Sequence, residues 1–108
     1  MTYTVYILRK RGEDLPRYIG QTKHSPQHRF NAHLSEARSI GGQRTRFGQW
    51  LIRNASEIEA VSVVEVDTRD EAKAIERHAI IFSAGIGADL FNRDHVPATL
   101  KRPVGLAA

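Results

Sequence analysis

Along the chain the spacing of apolar positions switches between the two-residue period of strands and the three-to-four-residue period of helices. From Tyr3 to Thr22 (YTVYILRKRGEDLPRYIGQT), two short runs rich in aromatic and β-branched residues flank a charged middle holding Gly12 and Pro16. That pattern predicts a β-hairpin. With the turn centred on Gly12, Tyr6 and Tyr18 stand opposite each other on one face; a one-residue slip puts them on opposite faces. The loop from Arg9 to Pro16 is too long to fix the register from sequence.

Ser25 is a good N-cap and Pro26 suits a first helical position, so a helix is expected from Gln27 to Ile40. Its stripe is Phe30, Leu34, Ala37 and Ile40, with His33 inside the stripe and Arg29 beside it. Gly41-Gly42 is expected to end it. A second, shorter helix is read in Gln43 to Asn54 from Phe47, Trp50 and Leu51, with Gly48 weakening it by about 1 kcal/mol relative to Ala. Trp50 reads as a core anchor. The valine-rich run Glu59 to Asp67 predicts a strand covered at least partly on both faces. Thr68 and Glu71 form a capping box that opens a third helix, which Gly85 is placed to stop. Leu90 and Phe91 return to the core with Asn92 beside them.

On the wheel of that third helix, Glu76 points with the apolar face, whereas Lys73 and Arg77 reach water. A carboxylate in such a place needs an ion pair, hydrogen bonds or a metal. An internal pair with Arg29 would suffice, and so would a catalytic site. His33 has the same two readings: a core-edge imidazole bonded to a backbone carbonyl, or a member of a site.

Composition then narrows the class. The chain has 108 residues, 41% hydrophobic and 26% charged, which is one domain of ordinary soluble make-up. No apolar run approaches the roughly 18 residues of a membrane helix, and no membrane contact is expected. No secretory or transit segment is visible at the start. There is no cysteine, which removes disulfides and thiolate metal sites and fits a cytoplasmic location. The net charge of +4 and pI near 9.9 favour a polyanionic partner. Lys23, Arg44 and Arg46 are the candidate phosphate contacts. The domain is placed at residues 1–96, followed by an irregular basic tail at 97–108.

The order strand, strand, helix, helix, strand, helix, together with the residues it carries, resembles the GIY-YIG endonuclease family. Thr4-Val5-Tyr6 stands at the first motif and Tyr18-Ile19-Gly20 spells the second. Arg29 and His33 in RFNAHL resemble the family's arginine and following histidine. Glu76 in EAKAIERHAI resembles its metal-binding glutamate, and Asn92 in LFNRD its late asparagine. Thr4 replaces the first motif's glycine, a change a strand residue with no need of positive φ tolerates. The chain leaves no room for the extra recognition domain that many members carry, so the likeness implies no target sequence.

The resemblance implies an α+β fold with a three-stranded, mainly antiparallel sheet flanked by helices, acting as a metal-dependent endonuclease on nucleic acid, DNA foremost. Its implied site is Tyr6 as general base, Tyr18 positioning water or phosphate, Arg29 on a nonbridging oxygen, His33 orienting a neighbour or relaying a proton, and Asn92 in support. Glu76 would hold a single Mg2+ or Mn2+, since one inward carboxylate with waters and phosphate oxygens can complete an octahedron. A phenol of reference pKa about 10 is a poor base at neutral pH, so the phenolate must be favoured or its proton passed onward. Two other classes stay open: a binding module on the same fold that does not cut, and a small interaction protein in which Arg29 and Glu76 only pair.

Overall fold

The structure, a computed structural model, describes residues 2–92. The predicted tail at 97–108 and the last residues of the predicted domain lie outside them. The chain runs β1 (Tyr3–Lys10), β2 (Tyr18–Thr22), α1 (Pro26–Ala37), α2 (Ile40–Gln43), α3 (Arg46–Asn54), β3 (Ile58–Val66) and α4 (Arg69–Gly85). The fold is α+β, with one antiparallel sheet in the order β2-β1-β3.

Because neighbouring residues of a strand point to opposite faces, the central strand β1 serves two cores. Val5 packs with Ile19, Ala72, Ile80, Ala84 and Leu90, which places α4 on its face. Tyr6 and Leu8 pack with Phe30, Ala37, Trp50, Leu51 and Ile58, on the side of α1 and α3. The polar centre lies where Tyr6 ends among these helices.

Several local expectations are corrected. The hairpin pairs Tyr6 with Gly20 and Leu8 with Tyr18, so it centres on Glu13, a register shift of two residues from a turn centred on Gly12. Tyr6 and Tyr18 are therefore diagonal neighbours, still on one face. The helix from Pro26 stops at Ala37 rather than continuing to Ile40; Ile40 is 77% exposed, and Gly41 and Gly42 lie inside the single-turn α2. Ser39 caps that turn by accepting from the Gly42 N–H, which makes a new helix start where the stripe alone suggests continuation. Likewise α3 begins at Arg46, capped by Thr45, and not at Gln43.

The valine-rich strand is not covered on both faces. β3 is a sheet edge, with Val63 54% and Val64 37% exposed. Its pairing steps from Val5↔Val64 to Tyr6↔Ser62 and skips Val63, an irregularity beside the very tyrosine on which the site centres. α4 ends at Gly85, as expected, and the positive φ follows two residues later at Gly87, at 100°. On α4 Phe82 is 67% exposed, while Ile80 and Ser83 are buried. The inward face of α4 is thus rotated toward Ala72, Ile80 and Ser83, and Glu76 falls in the middle of it.

Candidate functional site

The sheet presents Tyr6 and Tyr18 side by side, with ring centroids 6.3 Å apart. They can lie this way because Gly20 sits opposite Tyr6. A Cβ at Gly20 would come within 2.7 Å of the Tyr6 hydroxyl and 3.0 Å of the Tyr18 ring. A glycine inside a strand is the sequence signal of such close approach; it was legible, yet its role as the seat of the phenol depends on the register.

Helix α1 supplies the next two groups. His33 is buried at 6% exposure, and its Nε2 and the Tyr6 hydroxyl are hydrogen-bonded at 3.0 Å. Its partner is therefore a side chain, where the core-edge reading expected a backbone carbonyl. Burial, helped by the Arg29 guanidinium, pushes the His33 pKa down to about 4, with Glu36 pulling the other way. The imidazole is neutral near pH 7. Arg29 lies one turn earlier, half-buried, with its Nη1 3.6 Å from Glu36 Oε1. Glu36 is a member of this environment that the wheel of α1 did not single out, because it lies outside the apolar stripe.

Burial is the first cause that raises the Tyr6 phenol far above its usual value; the neighbouring Tyr18 and Glu76 add to it, and Arg29 opposes it. Tyr18 is raised by burial and by Glu76, again against Arg29. From α4, then, the half-buried Glu76 is close enough for its charge to be felt at both phenols. Four elements, β1, β2, α1 and α4, bring Tyr6, Tyr18, Arg29, His33 and Glu76 into one electrostatic neighbourhood.

Aromatic rings wall this centre on the α3 side. Phe47 stacks on Tyr18 at 4.7 Å and 15°, and meets His33 edge-on at 5.4 Å. Asn92 is placed differently. Its Oδ1 accepts from the Ile19 N–H at 2.9 Å and its Nδ2 donates to the Ile19 carbonyl at 2.8 Å, so it closes the outer edge of β2 next to Tyr18.

The three predicted phosphate contacts are not brought together. Lys23 lines an open cleft of about 420 Å³ with His24, Arg29 and Arg69. Arg46 lines a separate hollow, and Arg44 is the exposed cap residue that ends α2. Arg69, at the start of α4, joins the cleft only through the fold.

Among the described residues no three of His, Cys, Asp and Glu are grouped so as to cage a metal ion. Glu76 is a carboxylate whose charge acts on both phenols, and Glu36 is a second that acts on Tyr18 and His33.

An antiparallel three-stranded sheet with helices on both faces and this tyrosine, histidine, arginine and glutamate centre defines a nuclease-type α+β domain. A family model described as the GIY-YIG catalytic domain matches residues 2–81, and the chain belongs to the GIY-YIG family. The five residues of the centre fall within the matched span, and Asn92 lies beyond it. No curated protein and no solved structure matches the chain significantly.

Proposed function

We propose that this chain is a metal-dependent endonuclease that hydrolyses phosphodiester bonds in nucleic acid, DNA foremost, with one Mg2+ or Mn2+ held by Glu76. The observation that carries this reading is the buried Tyr6–His33 hydrogen bond of 3.0 Å, next to Arg29 and within the field of Glu76. A neutral imidazole accepts a proton; a phenol raised this far cannot stand alone as a base. The two together make a relay. As the attacking water bonds to phosphorus it gives a proton to the Tyr6 oxygen, and the Tyr6 proton moves to Nε2 of His33. The bond from phosphorus to the leaving sugar oxygen breaks, and that oxygen takes a proton from solvent.

Arg29 stays charged and offers a planar fork to a nonbridging phosphate oxygen. Tyr18, held by Phe47, positions the water or the phosphate. Asn92 supports the site by holding the β2 edge on which Tyr18 stands. When bound, the divalent ion neutralises charge developing on the phosphoryl and leaving oxygens.

The test is cleavage of a mixed panel of plasmid, branched and single-stranded substrates with magnesium, comparing the wild type with Glu76→Gln. The expected result is metal-dependent cutting by the wild type and a loss of about 100-fold or more in the variant, with its melting temperature kept or raised, as happens when a site carboxylate is removed. If the wild type binds the panel but never cuts it, the reading gives way to a binding module on the same fold. A large loss of stability in Glu76→Gln without any activity to lose would support the interaction protein instead.

A further inference from the structure

A second cationic hollow, of about 220 Å³, lies on the far side of the aromatic wall. It is lined by Arg17, Arg46, Gln49, Trp50, Arg53 and Phe91. Residues 46, 49, 50 and 53 recur at three, one and three, which puts them on one face of α3. Arg17 lies over the rings of Trp50 and Phe91, with its guanidinium carbon 5.4 Å and 4.7 Å from their centroids. It is held there by Asp89, whose carbonyl accepts from its Nε at 2.8 Å. Stacking of this kind keeps a guanidinium oriented while leaving part of its donor fork available.

Arg46 and Arg53 have no acidic partner among the described residues, in contrast to Arg9, Arg17 and Arg29, each of which has one. Trp50, which lines the hollow, also carries an unsatisfied donor: among the described residues its buried indole N–H has no acceptor. Three guanidiniums lining one hollow, two of them without an acidic partner among the described residues, favour a ligand rich in acceptor oxygens and negative charge.

The hollow is joined to the reactive centre by rings in contact: Tyr18 to Phe47 at 4.7 Å, Phe47 to Phe91 at 5.2 Å, and Phe91 to Arg17 at 4.7 Å. A nucleic-acid strand rises about 3.4 Å per nucleotide, so the two places lie within a few nucleotides of each other. Resting on the nuclease reading above, we propose that this hollow is a second phosphate site. It holds the backbone of the substrate strand a few nucleotides from the bond to be cut, with Arg46 and Arg53 as its principal contacts. Arg17 is a positioning residue that seals the floor.

The chain has a single tryptophan, Trp50, so its fluorescence reports on this hollow directly. The experiment titrates a short random-sequence duplex into the full chain in EDTA, at several salt concentrations, reading both affinity and Trp50 emission. Arg46→Ala/Arg53→Ala is compared with wild type and with Lys10→Ala/Arg11→Ala, a control of equal charge loss where β1 ends and the connection to β2 begins. Two lost phosphate contacts should flatten the log–log salt slope by about 2, weaken binding about tenfold at physiological salt, and abolish the change in Trp50 emission. The control should leave the emission change intact. Wild-type binding with unaltered Trp50 emission, or an unchanged slope in Arg46→Ala/Arg53→Ala, would overturn the second site while leaving the nuclease reading standing. Absence of salt-sensitive binding by the wild type would remove both.

Discussion

His33 shows how a single side chain acquires chemistry from its surroundings. On the sequence it is one polar position in an apolar stripe, and periodicity correctly places it facing inward. What periodicity cannot supply is the partner. Tyr6 is 27 positions away, and only the packing of α1 on the sheet sets imidazole against phenol. Burial of that imidazole, with the Arg29 guanidinium beside it, predicts a pH dependence. Below about 6.5, the ordinary value, an unfolded chain takes up a proton that the folded protein refuses until about 4. The unfolded state then binds more protons, so stability is full above the ordinary value and falls as the pH drops across that window. The loss is on the order of 2 kcal/mol at the acid end, after a discount for solvent screening. Denaturant melts of His33→Gln from neutral to acid should show a shallower acid slope than the wild type. Equal slopes would mean that the imidazole does not carry the effect. Gly20 teaches the converse lesson at the same scale: the residue itself was visible in the motif, whereas the phenol it makes room for is defined by the strand pairing.

Among the elements, the region from Ser25 to Asn54 is where apolar spacing misled. Phe30, Leu34, Ala37 and Ile40 suggest one helix, but the chain turns at Arg38 and restarts, so that α3 can return to pack on α1. The two glycines of α2 therefore differ in what they do. At Gly41 an added Cβ meets nothing, whereas at Gly42 it would collide with the Glu36 carbonyl and approach the Ala37 Cα to 2.7 Å. Gly41→Ala should raise stability by a few tenths of a kcal/mol through helix propensity and a less disordered unfolded chain, on the scale of about 0.4–1. Gly42→Ala should lower it by about 2 kcal/mol, since backbone on backbone cannot yield as a side chain can. Thermal melts of the two variants check this; equal effects would show that α2 does not seat on α1 as described. Gly48 belongs to the same junction, for a Cβ there would strike the Gly42 carbonyl. The sequence could read it only as a weakness in a helix.

At the scale of the whole molecule, the sheet has two edges and the chain treats them differently. Among the described residues no strand pairs with the outer edge of β3, which carries exposed valines, while the β2 edge is closed by the segment after α4. There the Phe91 N–H donates to the Arg17 carbonyl at 2.8 Å and Asn92 pairs both backbone groups of Ile19. Asn92→Ala leaves a buried donor and a buried acceptor unmatched, with an expected cost of about 2–3 kcal/mol in equilibrium unfolding. A neutral outcome would show that water replaces the amide at that edge. The sequence by itself determined the fold class, the order of its main elements, the capping of the first and last helices, and the inward direction of His33 and Glu76. Each of these rests on local signals: period, caps, turn residues, and the motifs spaced along the chain. Only the tertiary structure decided the strand order and register, the break into three helices between β2 and β3, the contact of Tyr6 with His33, and the separation of Lys23 from Arg46. These depend on which distant surfaces meet, and no window along the chain records that.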